Sequence, residues 1–422
     1  MQPMRPYHPR PYHPRHALSL LVSCLMSCAL IAFSSQALAE EIPEHYLPAG
    51  PAGSGGAGVA SANDDDAIWT NPAGIARVRK ARSKTGTRTK IPNLILGANS
   101  NSRTFYGSLA SGGDSTIEDL AANSDELGDK PFWVRAAMFP VTLVSLSPSS
   151  PAAFGIYMNS VTSAYIDSSA PSDAQVTAVS DIGGVITLGK TNVTNRLSSA
   201  IQIRPIYRYA LENTIPSNDL ADKSALQHHF TSLANKATAL AIDAGLMYTM
   251  ADFWFPTFGL AILNLPLQCR DDYLNPFSEK REKICGTKFS GDFGSPDALS
   301  ILDPTDIRAG FSITPRFGRD LTSRVSIDIH HFAIASGSTN YGLPGIPSGK
   351  LLHAGVEIFK GSPLVPPDFG LRLGINQGFF TYGVEGRIGY MSIAFTSYGQ
   401  DTSARTKPSE DRRSLVSLSG EF

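Results

Sequence analysis

A handful of residue groupings in this 422-residue chain could do chemistry. His228-His229 and His330-His331 offer imidazole nitrogens to a metal ion. Successive residues on a strand point to opposite faces, so His330 and His331 are not expected to converge on one ion, and His228-His229 falls in a loop. Asp64-Asp65-Asp66 could hold calcium, but the spaced oxygens and closing Glu of a loop site are missing, which favours a solvated or helix-capping role. Gly53-Ser54-Gly55-Gly56-Ala57-Gly58 fits a dinucleotide fingerprint, yet it follows no strand and opens no long helix. No nucleophile elbow of the GxSxG type occurs. Cys269 and Cys285, in a polar stretch with no His or other Cys between them, read as a local disulfide. Catalysis, a cofactor and a resident metal are therefore not expected.

The elements that would carry these residues are strands. Alternation of apolar and polar side chains recurs through the chain: Ile201–Tyr209, Leu240–Tyr248, Ile307–Thr314, Arg324–His330, Leu351–Ile358, Phe369–Asn376 and Val384–Ile388 all show it. Fourteen strands are expected, over 90–98, 132–147, 152–167, 175–191, 195–212, 236–250, 253–265, 305–316, 323–333, 350–359, 368–376, 379–388, 390–399 and 412–421. Most reach the roughly 9–11 residues that a tilted strand needs to cross a bilayer, against roughly 5–6 in globular sheets. If the last strand ends in the periplasm, the connections alternate long and short, as in outer-membrane barrels. The two-residue link at 377–378 breaks that rule, so a miscounted hairpin is the expected fault there. Helical composition marks 115–123 and 218–235, both in predicted outer loops.

The ends and the composition agree with export. Arg5, Arg10 and Arg15 precede an uncharged run from Ala17 to Phe33, and Ala37-Leu38-Ala39 fits a cleavage site, so residues 1–39 read as a signal peptide. Without them the chain keeps 33 basic and 37 acidic side chains, taking the formal charge from −1 to −4. No basic footprint for nucleic acid is present. With 42% hydrophobic residues and no further long apolar run, membrane-spanning helices are not expected, and half of each strand is left to face lipid. The closing segment Leu415–Phe422 alternates and ends on an aromatic, which points to barrel-assembly machinery as a partner of Phe422 and to outer-membrane lipids around the strands.

Residues 50–76 read GPAGSGGAGVASANDDDAIWTNPAGIA. Gly55 to Ala60, Asp65-Asp66 and Asn71-Pro72-Ala73-Gly74 resemble the N-terminal signature of the FadL-like long-chain fatty acid outer-membrane transporters. The start also resembles TraF-type conjugation barrels and PorV-type secretion barrels. The resemblance implies an all-β fold, a 14-stranded antiparallel transmembrane β-barrel with an N-terminal lumen plug: a plug or hatch over 40–89 and the barrel over 90–422. Asn71-Pro72 should turn the chain, with Gly74 as a permissive C-cap and the acids at a helix N-terminus. The implied function is passive uptake of hydrophobic compounds such as long-chain fatty acids. The alternative is a scaffold or partner of a conjugation or secretion apparatus.

Arg204, Arg208, Asp243, Arg308, Asp328, His330, His353, Glu357, Arg372, Glu385 and Arg387 fall on the polar faces of their strands. With both signs present, mutual pairing across the lumen is the first expectation, because buried charges are costly unless paired. Arg204, Arg208, Arg308, His353, Arg372 and Arg387 are the candidates for holding an anionic head group.

Overall fold

The computed structural model describes residues 41–42, 44, 46–78, 87–102, 131–147, 149–166, 172–220, 222–250, 254–292, 299–317, 321–360, 369–403 and 408–421. The signal peptide expected at 1–39, the helix expected at 115–123 and Phe422 lie outside the described residues.

Fourteen antiparallel strands form a ring. They are β1 (Thr87–Asn99), β2 (Phe132–Met138 continued by Val141–Ser147), β3 (Ser150–Ile166), β4 (Asp173–Thr191), β5 (Leu197–Pro216), β6 (Asn235–Thr249), β7 (Thr257–Leu263), β8 (Asp306–Ile313), β9 (Leu321–Ile329), β10 (Leu352–Lys360), β11 (Phe369–Asn376), β12 (Phe379–Ile388), β13 (Met391–Asp401) and β14 (Glu410–Glu421). Each pairs with its neighbours, and β14 returns to β1, with Asn93 opposite Ser419 and Asn99 opposite Arg413. Closure leaves no edge strand in the ring. β2 breaks at Phe139-Pro140, where proline has no N–H to give the ladder.

Side-chain period sets the two faces. On β5, Ile201 is 58% exposed on the outside while Gln202 beside it is fully buried inside. Phe154, Ile156 and Met158 on β3, Leu260 on β7 and Tyr382 and Val384 on β12 continue the outer apolar belt. Turning an inward arginine onto that belt would cost about 2–4 kcal/mol at mid-bilayer. No described helix is long and apolar enough to cross a membrane.

The link at 377–378 is a true tight hairpin rather than a miscount. Asn376 pairs with Phe379, and Gln377 and Gly378 take φ of 50° and 87°, the left-handed pair that a two-residue turn requires. The long connections hold more structure than their sequence announced. Gln268–Asn275 and Lys280–Lys288 form a hairpin crossed by the Cys269–Cys285 disulfide. Leu302–Pro304, Thr339–Tyr341 and Ile334–Ser336 complete a second, five-stranded sheet that joins two separate loops over one end of the barrel. The helix expected within 218–235 is present at Lys223–Ser232, with Asp222 accepting the N–H groups of Ser224 and Ala225. Its Leu226 and Phe230 pack on an apolar cluster that includes Val176 of β4 and Leu211 and Ile215 of β5.

Candidate functional site

The N-terminal segment is bound to inward-facing groups from strands around the ring. Thr396 on β13 donates to the Ala49 carbonyl at 2.8 Å, Thr381 on β12 to Gly53 at 3.1 Å, and Ser312 on β8 to Ala60 at 3.0 Å. Asp328 on β9 accepts the N–H groups of Gly58 and Val59.

The Asn71–Gly74 motif sits in this contact. Asn71 is extended ahead of Pro72, which opens a 3-10 turn over Pro72–Arg77. Its Oδ1 accepts the Ala73 N–H at 3.1 Å, and its Nδ2 donates to the Val59 carbonyl at 2.8 Å and to the Leu246 carbonyl of β6 at 3.3 Å. Gly245 makes that approach feasible, since a Cβ there would lie 2.1 Å from Asn71 Oδ1. Two expectations need correcting. Gly74 lies inside the turn and is no C-cap; a Cβ on it would meet Ala62 at 2.7 Å and Ala67 at 2.8 Å, so close packing excludes a side chain. The acids do sit at a helix N-terminus, with Asp66 at the N-cap of Ala67–Thr70, but Asp66 makes no side-chain capping bond and the run is not a solvated one. Asp65 is buried against the wall, 2.6 Å from Lys90 and 3.4 Å from Arg88 of β1. Burial opposes its charge, but Lys90 and Arg88 more than offset this and hold its carboxyl below the ordinary range.

The polar ladder is paired. Arg204 chelates Asp243 at 2.7 and 3.1 Å. Arg208 is clamped between Asp181 and Asp303 by four bonds of 2.7–2.9 Å. Arg308 pairs with Asp306, Arg372 with Glu385 and Glu357, and Arg387 with Glu421. His353 places Nδ1 2.9 Å from the Gly55 carbonyl.

A cavity of about 360 Å³ lies between the N-terminal segment and the wall. Trp69, Tyr46, Trp133, Tyr273, Phe277 and Leu302 give it an apolar body, and Arg204 and Arg308 reach it with their partners Asp243 and Asp306. Trp69 centres the aromatic cluster, with ring centroids 5.1 Å from Tyr46, 5.1 Å from Tyr157 and 4.8 Å from Phe139. Of the six candidate head-group contacts, Arg204 and Arg308 line this space; Arg208, His353, Arg372 and Arg387 do not. Arg372 instead borders a small polar cleft shared with Asp64, Asp65 and Asp66. Sequence reading missed the aromatic cluster, because Tyr46 stands outside any element and Trp69 sits on a single helical turn too short to show a period.

No protein-family model and no curated protein sequence matches the chain. Solved structures do. A deltaS2S3 mutant of the TodX monoaromatic hydrocarbon channel superimposes with a TM-score of 0.50 at 13% identity, covering 89% of this chain and 99% of that one. The Ralstonia pickettii toluene transporter TbuX gives 0.48 at 12% identity, covering 89% and 98%. A Pseudomonas aeruginosa FadL homologue gives 0.41 at 12% identity, covering 92% and 99%. The fold is shared with that TodX structure. A closed cylinder of this kind with an apolar outer belt places the chain in the outer membrane of a Gram-negative cell.

One feature of this barrel contradicts the reading of its histidines. β9 ends at Ile329, and His331 takes φ of 55°, so strand alternation no longer applies. Both His330 and His331 line the cavity together with Glu44. Burial pushes the Glu44 carboxyl up to about 7 and holds both imidazoles below their ordinary range, so they are neutral.

Proposed function

We propose that the chain is a passive outer-membrane channel for hydrophobic small molecules, with residues 41–78 as a lumen plug. The supporting observation is the cavity of about 360 Å³, walled by Trp69, Tyr46, Trp133 and Phe277 beside a buried arginine. That volume lies in the range of small-molecule sites, which are mostly apolar with few polar anchors. Arg204 Nη1 is buried without a hydrogen-bond partner, and the guanidinium carbon stands 5.1 Å from the Tyr46 ring centroid. A permeant with an aromatic or short aliphatic body and a polar edge would lie on Trp69 and Tyr46 and accept from that nitrogen. Compact aromatic compounds suit this space, and the TodX and TbuX descriptions name such compounds for those proteins. Long-chain fatty acids are the second permeant class, with Arg204 and Arg308 as carboxylate contacts.

The test is uptake in a host lacking its own hydrophobic-compound transporters. Radiolabelled toluene and oleate are supplied separately to cells with wild-type protein, Trp69→Ala, Arg204→Met or a deletion of 50–76. Wild type should raise uptake of at least one compound above the empty host, and Trp69→Ala should reduce it several-fold. Uptake equal to the empty host for both compounds would sink the proposal. It would turn attention to the scaffold reading, for which the five-stranded sheet across two loops offers a firm docking surface.

A further inference from the structure

We propose that Glu44, His330 and His331 form a binding site for a divalent transition-metal ion of the kind imidazole favours, with zinc as the leading candidate. The inference is independent of the transport reading. One donor atom from each residue lies within 4.8 Å of the others, close enough for a single ion to reach all three after small side-chain adjustments. Two imidazoles with one carboxylate and no thiolate suit Zn²⁺, Ni²⁺, Co²⁺ or Cu²⁺ better than calcium or magnesium, which prefer oxygen.

The unmet polar atoms make the second argument. His330 Nδ1 and Nε2, His331 Nε2 and Glu44 Oε2 are buried and have no hydrogen-bond partner. Buried polar atoms are nearly always satisfied, so the cluster calls for an occupant, to which one His330 nitrogen, His331 Nε2 and Glu44 Oε2 can each offer a lone pair.

The surroundings are those of a supported site. His331 Nδ1 stands 3.2 Å from Asp306 Oδ1, which also accepts the His331 backbone N–H at 3.0 Å. A carboxylate behind one ring nitrogen fixes the tautomer and leaves the other as the ligand. Arg308 pairs with the far oxygen of Asp306 and holds that carboxylate in place. His330 Nε2 lies 3.6 Å from Asp328, and its ring stacks on His353 at 4.0 Å, which limits its rotation. Three protein ligands leave a coordination position open toward the cavity. Because Glu44 comes from the N-terminal segment and the histidines from the wall, the ion would also tie the two together.

Purified full-length protein in detergent, stripped with a chelator, is titrated with Zn²⁺ by calorimetry and with Co²⁺ by visible absorption. Wild type should bind one equivalent of each and give a cobalt ligand-field band. Glu44→Gln and His331→Ala should each weaken binding by at least about tenfold, the scale on which even outer-shell changes act. The heat-dependent electrophoretic shift of the folded barrel controls for folding, and His330→Asn serves if His331→Ala fails it. His228→Ala/His229→Ala should leave the stoichiometry unchanged. Absence of stoichiometric zinc binding in the wild type would overturn the site. So would binding that survives in Glu44→Gln and the histidine variant, or that is lost only in the His228/His229 variant.

Discussion

The Asp328 carboxylate accepts the backbone N–H of Val59 at 2.7 Å, joining residues 269 positions apart through a single oxygen that also takes the Gly58 N–H. A wall side chain thus holds the N-terminal segment by its backbone, whatever side chains the segment carries. Substituting Val59 alone would leave this attachment intact. Substituting Asp328 would not.

Asp328→Ala should leave two buried N–H groups without their acceptor, at about 1–3 kcal/mol each. A cysteine placed at Val59, with Cys269 and Cys285 kept oxidised, reports the result by its rate of thiol labelling. The rate should rise at least about tenfold, the factor that about 1.4 kcal/mol represents. An unchanged rate would mean that the segment is held mainly elsewhere.

Gly245→Ala should drive Asn71 off the wall, because the new methyl would lie 2.1 Å from Oδ1 and 2.8 Å from the Ala73 nitrogen. Overpacking of this kind costs about 1–3 kcal/mol. Asn71→Gly in the same chain should restore most of the loss, read as the temperature at which the folded electrophoretic band disappears. Additive losses would show that the two residues are not in contact.

Arg208→Met strands Asp181 and Asp303 without their cation. Breaking such a buried group costs about 3–5 kcal/mol, whereas replacing every member can be neutral. Arg208→Met with Asp181→Asn and Asp303→Asn should therefore be markedly more heat-resistant than Arg208→Met alone. If the triple variant is the weaker of the two, the stranded carboxylates are not what destabilises Arg208→Met.

Reducing Cys269–Cys285 should loosen the second sheet and leave the barrel closed. A loop of about this size is worth about 3 kcal/mol in the chain-entropy model. Protease added after reduction should cut within 266–304 while the remainder keeps its folded mobility. Cleavage at the same rate before and after reduction would mean that the strand pairing holds the loop unaided.

The ring was legible because lipid enforces a period of two: Ile201 against Gln202, or Val325 against Arg324, can be sorted from sequence alone. All fourteen expected strands correspond to ring members, within a few residues at their ends. The Asn71–Gly74 motif was legible as a turn, but the reason for Gly74 was not, since Ala62 and Ala67 crowd it only after folding. The cavity was hidden for a related reason. Tyr46 and Glu44 lie on irregular chain and Trp69 on a single helical turn, where no periodicity tells which way a side chain faces. His331 misled because the rule applied to it belongs to strands, and the strand stops two residues earlier.

The contacts of the N-terminal segment also constrain assembly. Gln400 near the end of the chain donates to the Ile42 carbonyl, and His353 faces Gly55. Both wall partners are synthesised hundreds of residues after the segment they hold. If that segment plugs the lumen as proposed, the seam between β1 and β14 shuts around a chain already in place, or the segment enters the ring afterwards. A partly assembled intermediate of the first kind would be an open, C-shaped sheet cradling that segment.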